Sequence, residues 1–470
     1  MYFESESALA QTGRFYHRGG MLVELAANGK THPVSSATGH IALARAANWI
    51  NRSRDVDGNV ASKKVDPPHE IAAALVKTHI WNAIQELIGV VDHPLFVDSG
   101  ELLAPGYDPK TKLFGHFEHD PKINFTAGLA DARQAAEYIS QLFSTLDLAS
   151  EADKAAVLCS ILTAVSRPAL KTAPLFLITA PVFGSGKGLL ARLISGFAQA
   201  GEPNSKTLQG NDDEIKKEII SSLIGSAPVL FFDEVGGQEI DSVSLRTLAT
   251  AETFSGRLLG SSKEVNLSTR TLILLTGNNI APSADMARRM LEIRIDPKCE
   301  TPATRKFSID PIKILNENRS EMIQAALTIQ AAYSNHLKSG SAGETEANLP
   351  GIGSFSEWDR WCRRPIFWLT GVDPAQRLLD QLKADPDRAE IADVFCEWNR
   401  KFGSDYVVSA QIQNAPKVYE AITVFANQKD MSTKDISRWI SKHQGRIVGG
   451  LRIEKSDSIT NKIKWRVARV

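Results

Sequence analysis

The chemistry of this chain starts at Lys187. It lies in the run Pro181-Val-Phe-Gly-Ser-Gly-Lys-Gly188, between the apolar stretch LFLITA and the helical pattern LLARLISGFA. A glycine-rich loop between a strand and a helix is suited to hold phosphate. Its backbone N–H groups can approach the oxygens closely, and the helix N-terminus adds a favourable dipole. Gly184, Ser185, Gly186, Lys187 and Gly188 are the candidate nucleotide-binding residues, with Lys187 reaching the β- and γ-phosphates of ATP. The run departs twice from G-x-x-x-x-G-K-[ST]. Pro181 replaces the first glycine, and Gly188 replaces the hydroxyl residue that normally binds Mg²⁺.

Two further segments supply what a phosphate-cleaving site needs. VLFFDE places Asp233 and Glu234 at the C-terminal end of an apolar run, which in a parallel sheet faces the phosphate loop. Asp233 is suited to hold Mg²⁺ through water. Glu234 is suited to orient and deprotonate the attacking water. TLILLTGNN ends in Asn278 and Asn279, and an amide there can position water and sense the γ-phosphate. Arg288 and Arg289 follow in DMARRMLEIRID; a guanidinium from a neighbouring subunit could stabilise the transferring charge. The alternative for this pair is a helix surface bridged to Asp285 or Glu292.

These residues need strands and helices to position them. LFLITA, APVLFFDE and TRTLILLTGNN read as buried parallel strands, with helical patterns between them, which predicts an α/β parallel sheet. Upstream, FYHRGGMLVELA predicts a hairpin turning at Gly19-Gly20. HEIAAALVKTHIW and AIQELIG read as helices. PLFVDSGELLAPGYDPKTKLFGHF reads as short strands with turns at Ser99-Gly100, Pro105-Gly106 and Asp108-Pro109. ADARQAAEYISQLFSTL and EADKAAVLCSILTAV have helical spacing. Residues 311–370 read as mainly helical with a Gly/Ser linker near SGSAGE, and the last stretch as helix, helix, strand, turn, strand.

The 470 residues, 43% hydrophobic and 23% charged, fit a multidomain globular chain. Cys159, Cys299, Cys362 and Cys396 form no C-x-x-C pair, which predicts neither a zinc site nor a disulfide framework and fits a reducing cytoplasm. There is no signal peptide pattern and no bilayer-length apolar run. Net charge is zero, but residues 431–470 hold ten Lys/Arg against three Asp/Glu, a local basic region. Asp55 and Asp57 in SRDVDGN form a D-x-D pair, read here as a turn; no primase site is apparent.

Phosphate loop, acidic strand, Asn strand and downstream arginines, in this order, resemble AAA+ ATPases. They look closest to superfamily 3 and MCM-like helicases, and more narrowly to the primase/helicase-type replication ATPases of phages and integrative mobile elements. The carrying segments include SRPALKTAPLFLITAPVFGSGKGLLARLI, NDDEIKKEIISSLIGSAPVLFFDEVGG, ETFSGRLLGSS, LILLTGNNIAPSADMARRMLEIRID, TPATRKF and GRIVGGLRI, and more weakly FYHRGGMLVEL and LLAPGYDPKTKLFGHF. The resemblance implies an α/β fold: an AAA+ P-loop ATPase core with an α+β N-terminal domain and a C-terminal winged-helix domain. The expected divisions are 1–125, a helical lead-in 126–172, the core 173–310, a helical segment 311–380 and the winged helix 381–470.

The resemblance further implies a motor-only DNA helicase using ATP and Mg²⁺ and assembling as a homo-oligomer, expectedly a hexamer. ATP would sit between subunits, with Lys187, Asp233, Glu234 and Asn278 on one side and Arg288 or Arg289 on the other. A hairpin of Arg257–Gly260 against Glu264–Leu267 would carry Lys263 near its tip to a single strand in the channel. The winged helix would meet duplex through Lys434, Arg438 and Lys442, with Lys455 and Lys462 on its wing. A separate primase or initiator is an expected partner. The alternatives are an ATP-switched initiator or loader, and a defence or signalling ATPase.

Overall fold

The computed structural model describes the chain except for residues 55–58, 99, 119–122, 209–210, 237–238, 259–263, 305–308, 341–342, 344–345, 347, 384–385 and 457–462, and except for the side chains of 382–389. Asp55, Asp57, Ser99, Lys263 and Lys462 therefore lie outside the described residues. The chain forms two compact units, Met1–Leu378 and Leu379–Val470.

The first unit is organised by a five-stranded sheet. In spatial order it runs Ser205–Lys206 (edge strand), Val229–Phe232 (acidic strand), Leu272–Asn278 (Asn strand), Leu175–Ala180 (loop strand) and Met290–Arg294 (arginine strand). Every neighbouring pair is parallel. The loop and acidic strands are buried along their whole lengths, as continuous apolar runs covered on both faces must be. One face, with Leu175, Leu177, Leu230, Phe232, Ile273 and Leu275, packs on Ile215, Ile219, Leu245 and Leu248 of helices Asp212–Ile224 and Val243–Thr250. The other is met by helix Lys187–Ala198, with helix Glu151–Ser166 beside the arginine strand. Asp212 ties the first pair of helices together by accepting from the Ser242 and Ser244 hydroxyls at 2.5 and 2.7 Å.

The N-terminal hairpin forms as expected, Phe15–Arg18 against Met21–Leu25, and Met21 joins the core beneath the sheet. AIQELIG is not helical. The Glu6 carboxylate accepts from the Ala83 backbone N–H at 2.6 Å. The His17 N–H donates to the Gln85 carbonyl, and the Leu87 N–H to the His17 carbonyl, each at 2.9 Å. The segment's backbone groups are thus used by a distant side chain and a strand edge, so the 3.6-residue pattern has no ladder to stabilise. Helix His69–Lys77 also stops short of the run HEIAAALVKTHIW, because Trp81 folds back and its indole N–H caps the Leu75 carbonyl at 3.1 Å. The hairpin before the Asn strand starts earlier than expected, pairing Thr253–Arg257 with Glu264–Ser268; Gly260 and the tip are outside the described residues. Its inward residues Phe254, Val265 and Leu267 join the same core.

The second unit has more helix than expected: Pro386–Phe402, Ser409–Gln413, Pro416–Phe425 and Thr433–His443. An antiparallel sheet of Ile447–Val448, Leu451–Lys455 and Trp465–Arg469 follows, with Gly449 and Gly450 in the left-handed region at the first turn. Trp398, Ile436, Ile440, Ile453 and Trp465 fill its core. Helix Thr433–His443 keeps Lys434, Arg438 and Lys442 on its exposed side, and Arg438 lies 3.5 Å from Asp435.

Candidate active site

The order of the sheet places the Asn strand between the loop strand and the acidic strand. Asn278 lies opposite Ala180, and Leu275 opposite Phe232, so all three strands end on one edge. The glycine-rich loop leaves that edge and turns into helix Lys187–Ala198. Gly186 caps the helix at φ +93°, and a Cβ there would lie 2.6 Å from Leu146. At Gly184, φ +75°, a Cβ would lie 2.7 Å from the Ala303 methyl. Both conformations favour glycine, and at Gly184 the Ala303 backbone leaves no room for a side chain. The Ser185 hydroxyl holds the turn internally, donating to the Val182 carbonyl at 2.5 Å.

Lys187 is only 7% exposed. Its ammonium donates to Asn278 Oδ1 at 2.5 Å, so two residues 91 positions apart meet at the sheet edge. Burial pushes the Lys187 pKa below its ordinary value, while Glu234 and then Asp233 pull it back up. The loop is also tied to the Asn strand by Asn279, whose side-chain amide donates to the Pro181 carbonyl at 3.0 Å from a left-handed backbone, φ +47°.

Asp233 is half-buried and Glu234 exposed, the latter at φ +50°. Asp233 Oδ1 accepts from the Thr276 hydroxyl and, at 3.1 Å, from the Glu234 backbone N–H. That N–H also lies 3.0 Å from Thr276 Oγ1. Thr276 itself is fully buried. It fixes the carboxylate of one acidic residue and the backbone of the next. The only sequence signal for this role is a lone hydroxyl in the apolar run LILLTGN.

A resident Mg²⁺ fits these residues in a limited way. Among the described residues no group of three or more His, Cys, Asp or Glu side chains could hold a metal ion. Mg²⁺ bound by one carboxylate plus phosphates and water has no need of such a group. A Cβ at Gly188 would lie 3.9 and 4.0 Å from the two Asp233 oxygens, so the position that lacks its hydroxyl faces the carboxylate. Thr276→Val removes the hydroxyl that orients Asp233 at nearly constant volume. We expect it to weaken Mn²⁺ binding in the presence of a non-hydrolysable ATP analogue, read by paramagnetic resonance, by roughly 10–100-fold. Thr276→Ser should restore it. Unchanged Mn²⁺ affinity in Thr276→Val would show that Asp233 needs no such support.

Arg288 and Arg289 are not brought to this edge. The Leu175 N–H donates to the Arg289 carbonyl at 2.9 Å, which puts the pair beside the start of the loop strand, whereas Lys187 follows its end. Six strand residues, at about 3.3 Å each, separate the two by roughly 20 Å. Arg288 pairs with Asp285 at 2.6 Å, and Arg289 Nη1 donates to the Asp285 carbonyl at 2.6 Å. Glu292 instead pairs with Arg294. The Arg289 Nε is buried with no acceptor among the described residues.

No family model matches the chain, and no curated protein matches it. Solved structures do resemble it. The C-terminal region of NrS-1, in its A-form apo structure, is 12% identical, with 89% of this chain and 96% of that one covered at a TM-score of 0.37. Two structures of JCV helicase are 15% and 14% identical, each covering 52% of this chain, at TM-scores of 0.27 and 0.26. The chain spans 60% of the length of those helicase chains. At these identities and scores the likenesses carry no functional inference. Among the described residues no helix is long and apolar enough to cross a membrane.

Proposed function

We propose that this protein is an ATP-hydrolysing DNA motor, a ring-forming helicase of the AAA+ superfamily 3 or MCM-like kind. The observation that carries the reading is the Lys187–Asn278 contact at 2.5 Å, on a sheet edge shared with Asp233 and Glu234. In this reading the backbone of residues 184–188 and Lys187 hold the phosphates of ATP. Glu234 takes a proton from water as its oxygen forms the bond to the γ-phosphorus. The bond from that phosphorus to the β-bridging oxygen breaks, and ADP leaves. Asn278 orients the water and keeps Lys187 in place. Asp233, steadied by Thr276, would hold Mg²⁺. The ion, when bound, neutralises charge on the phosphate oxygens.

The offset of Arg288 and Arg289 from their own Lys187, roughly 20 Å along the strand, supports a nucleotide shared between subunits, with Arg288 or Arg289 of the partner subunit stabilising the transferring charge. A hexamer would bring six such sites around one channel, where Lys263, beyond the paired hairpin strands, would contact a single strand. In the second unit Lys434, Arg438 and Lys442 would contact duplex phosphates. The test is ATPase activity with and without DNA. We expect forked or single-stranded DNA to raise the rate several-fold. A rate indifferent to DNA would favour a defence or signalling ATPase instead.

A further inference from the structure

Between helices Ser36–Ala46 and His69–Lys77 the chain leaves the globule as a two-stranded ribbon, Ile50–Arg54 against Val60–Lys64. All ten strand residues are exposed. Such a ribbon buries no apolar face, and an isolated hairpin is marginal in water. Its base is nonetheless held firmly. The Trp49 indole N–H donates to the Leu43 carbonyl, and the Val65 N–H to the Trp49 carbonyl, each at 3.0 Å. Leu43 and Leu75, on the two flanking helices, are buried in the same core. Core packing explains the base and leaves the ribbon unexplained.

The paired strands carry charge of one sign, while the sequence between them holds Asp55 and Asp57. The strands carry Arg52, Arg54, Lys63 and Lys64 and no Asp or Glu. Among the described residues none of these four forms an ion pair. Opposite residues in an antiparallel pair share a face. The register pairs Ile50 with Lys64, Arg52 with Ser62 and Arg54 with Val60, so Arg52, Arg54 and Lys64 stand on one face, edged by exposed Ile50 and Val60. A two-stranded ribbon fits the major groove of duplex DNA, about 12 Å wide, and unpaired cations on it meet phosphates.

We propose that this ribbon is a duplex-DNA contact, binding phosphate through Arg52, Arg54 and Lys64. It is separate from the channel hairpin and from helix Thr433–His443. The proposal rests on the DNA-motor reading for its ligand and on the ribbon's own charge pattern for its place.

The test compares full-length wild type with the triple variant Arg52→Gln, Arg54→Gln, Lys64→Gln. Binding of a labelled 20-base-pair duplex of arbitrary sequence is followed by anisotropy over a KCl series. Because the three side chains are exposed and form no ion pair among the described residues, melting temperature and DNA-free ATPase should stay at wild-type values. Duplex affinity should fall at least about tenfold, and the slope of log affinity against log salt should flatten by roughly 2–3, near 0.9 for each lost phosphate contact. Equal affinities and slopes would overturn the ribbon contact and leave the motor reading standing if wild type still unwinds. A loss seen only with a single-stranded 20-mer would also overturn it. Wild type that binds no DNA while hydrolysing ATP would overturn both.

Discussion

Glu234→Gln is expected to bind ATP and fail to turn it over. The residue follows the acidic strand, on the sheet edge that carries the phosphate loop, and its backbone is fixed in the left-handed region by bonds to Asp233 and Thr276. In the proposed mechanism its exposed carboxylate takes a proton from water. The amide cannot, although it keeps the shape. Loss of a positioned base costs on the order of 10²–10⁴-fold in rate. Lys187→Ala should abolish hydrolysis by a different route, through lost phosphate binding. It also leaves Asn278 without its partner at 2.5 Å. Single-turnover hydrolysis and fluorescent-nucleotide binding separate the two variants. Binding should persist in Glu234→Gln and weaken in Lys187→Ala. Wild-type turnover in either would remove the nucleotide-site assignment.

The second large effect is expected across a subunit boundary. Arg288→Ala or Arg289→Ala alone should lower ATPase by about 10³-fold or more if that arginine completes the neighbour's site. Asp285 holds Arg288 at its side chain and Arg289 at its carbonyl. A subunit with an arginine replaced still has an intact phosphate loop, and a Lys187→Ala subunit still has intact arginines. Mixing the two inactive proteins should therefore create interfaces with both halves intact and recover measurable activity. If neither mixture exceeds its parents, while wild-type subunits demonstrably exchange, the arginines form only a surface pair with Asp285.

The parts of the site legible in the sequence are those whose chemistry needs a local pattern. Lys187 announces itself through glycines before a helix, and Asp233-Glu234 through four buried apolar residues that end abruptly in charge. That Lys187 touches Asn278 follows from strand order, a long-range property that no local pattern encodes. Thr276 was hidden because one hydroxyl in an apolar strand also reads as packing. AIQELIG misleads because helical periodicity says nothing about Glu6, a carboxylate far away in sequence that takes the segment's N–H groups. The ribbon at 50–64 was illegible for the opposite reason. With no buried face it has no apolar alternation to read, and its pairing shows only in the register. Of the second unit's helices, Ser409–Gln413 is only five residues long, too short to show a helical period.

Strand displacement on a forked DNA duplex tests the central claim most directly, that ATP hydrolysis at the Lys187–Asn278 edge drives movement along DNA. Purified wild type with ATP and Mg²⁺ should separate a fork whose duplex is much longer than any footprint, with Glu234→Gln inactive at equal DNA binding. Wild type that hydrolyses ATP and binds the fork, yet opens only its first few base pairs, would contradict the motor and identify a loader.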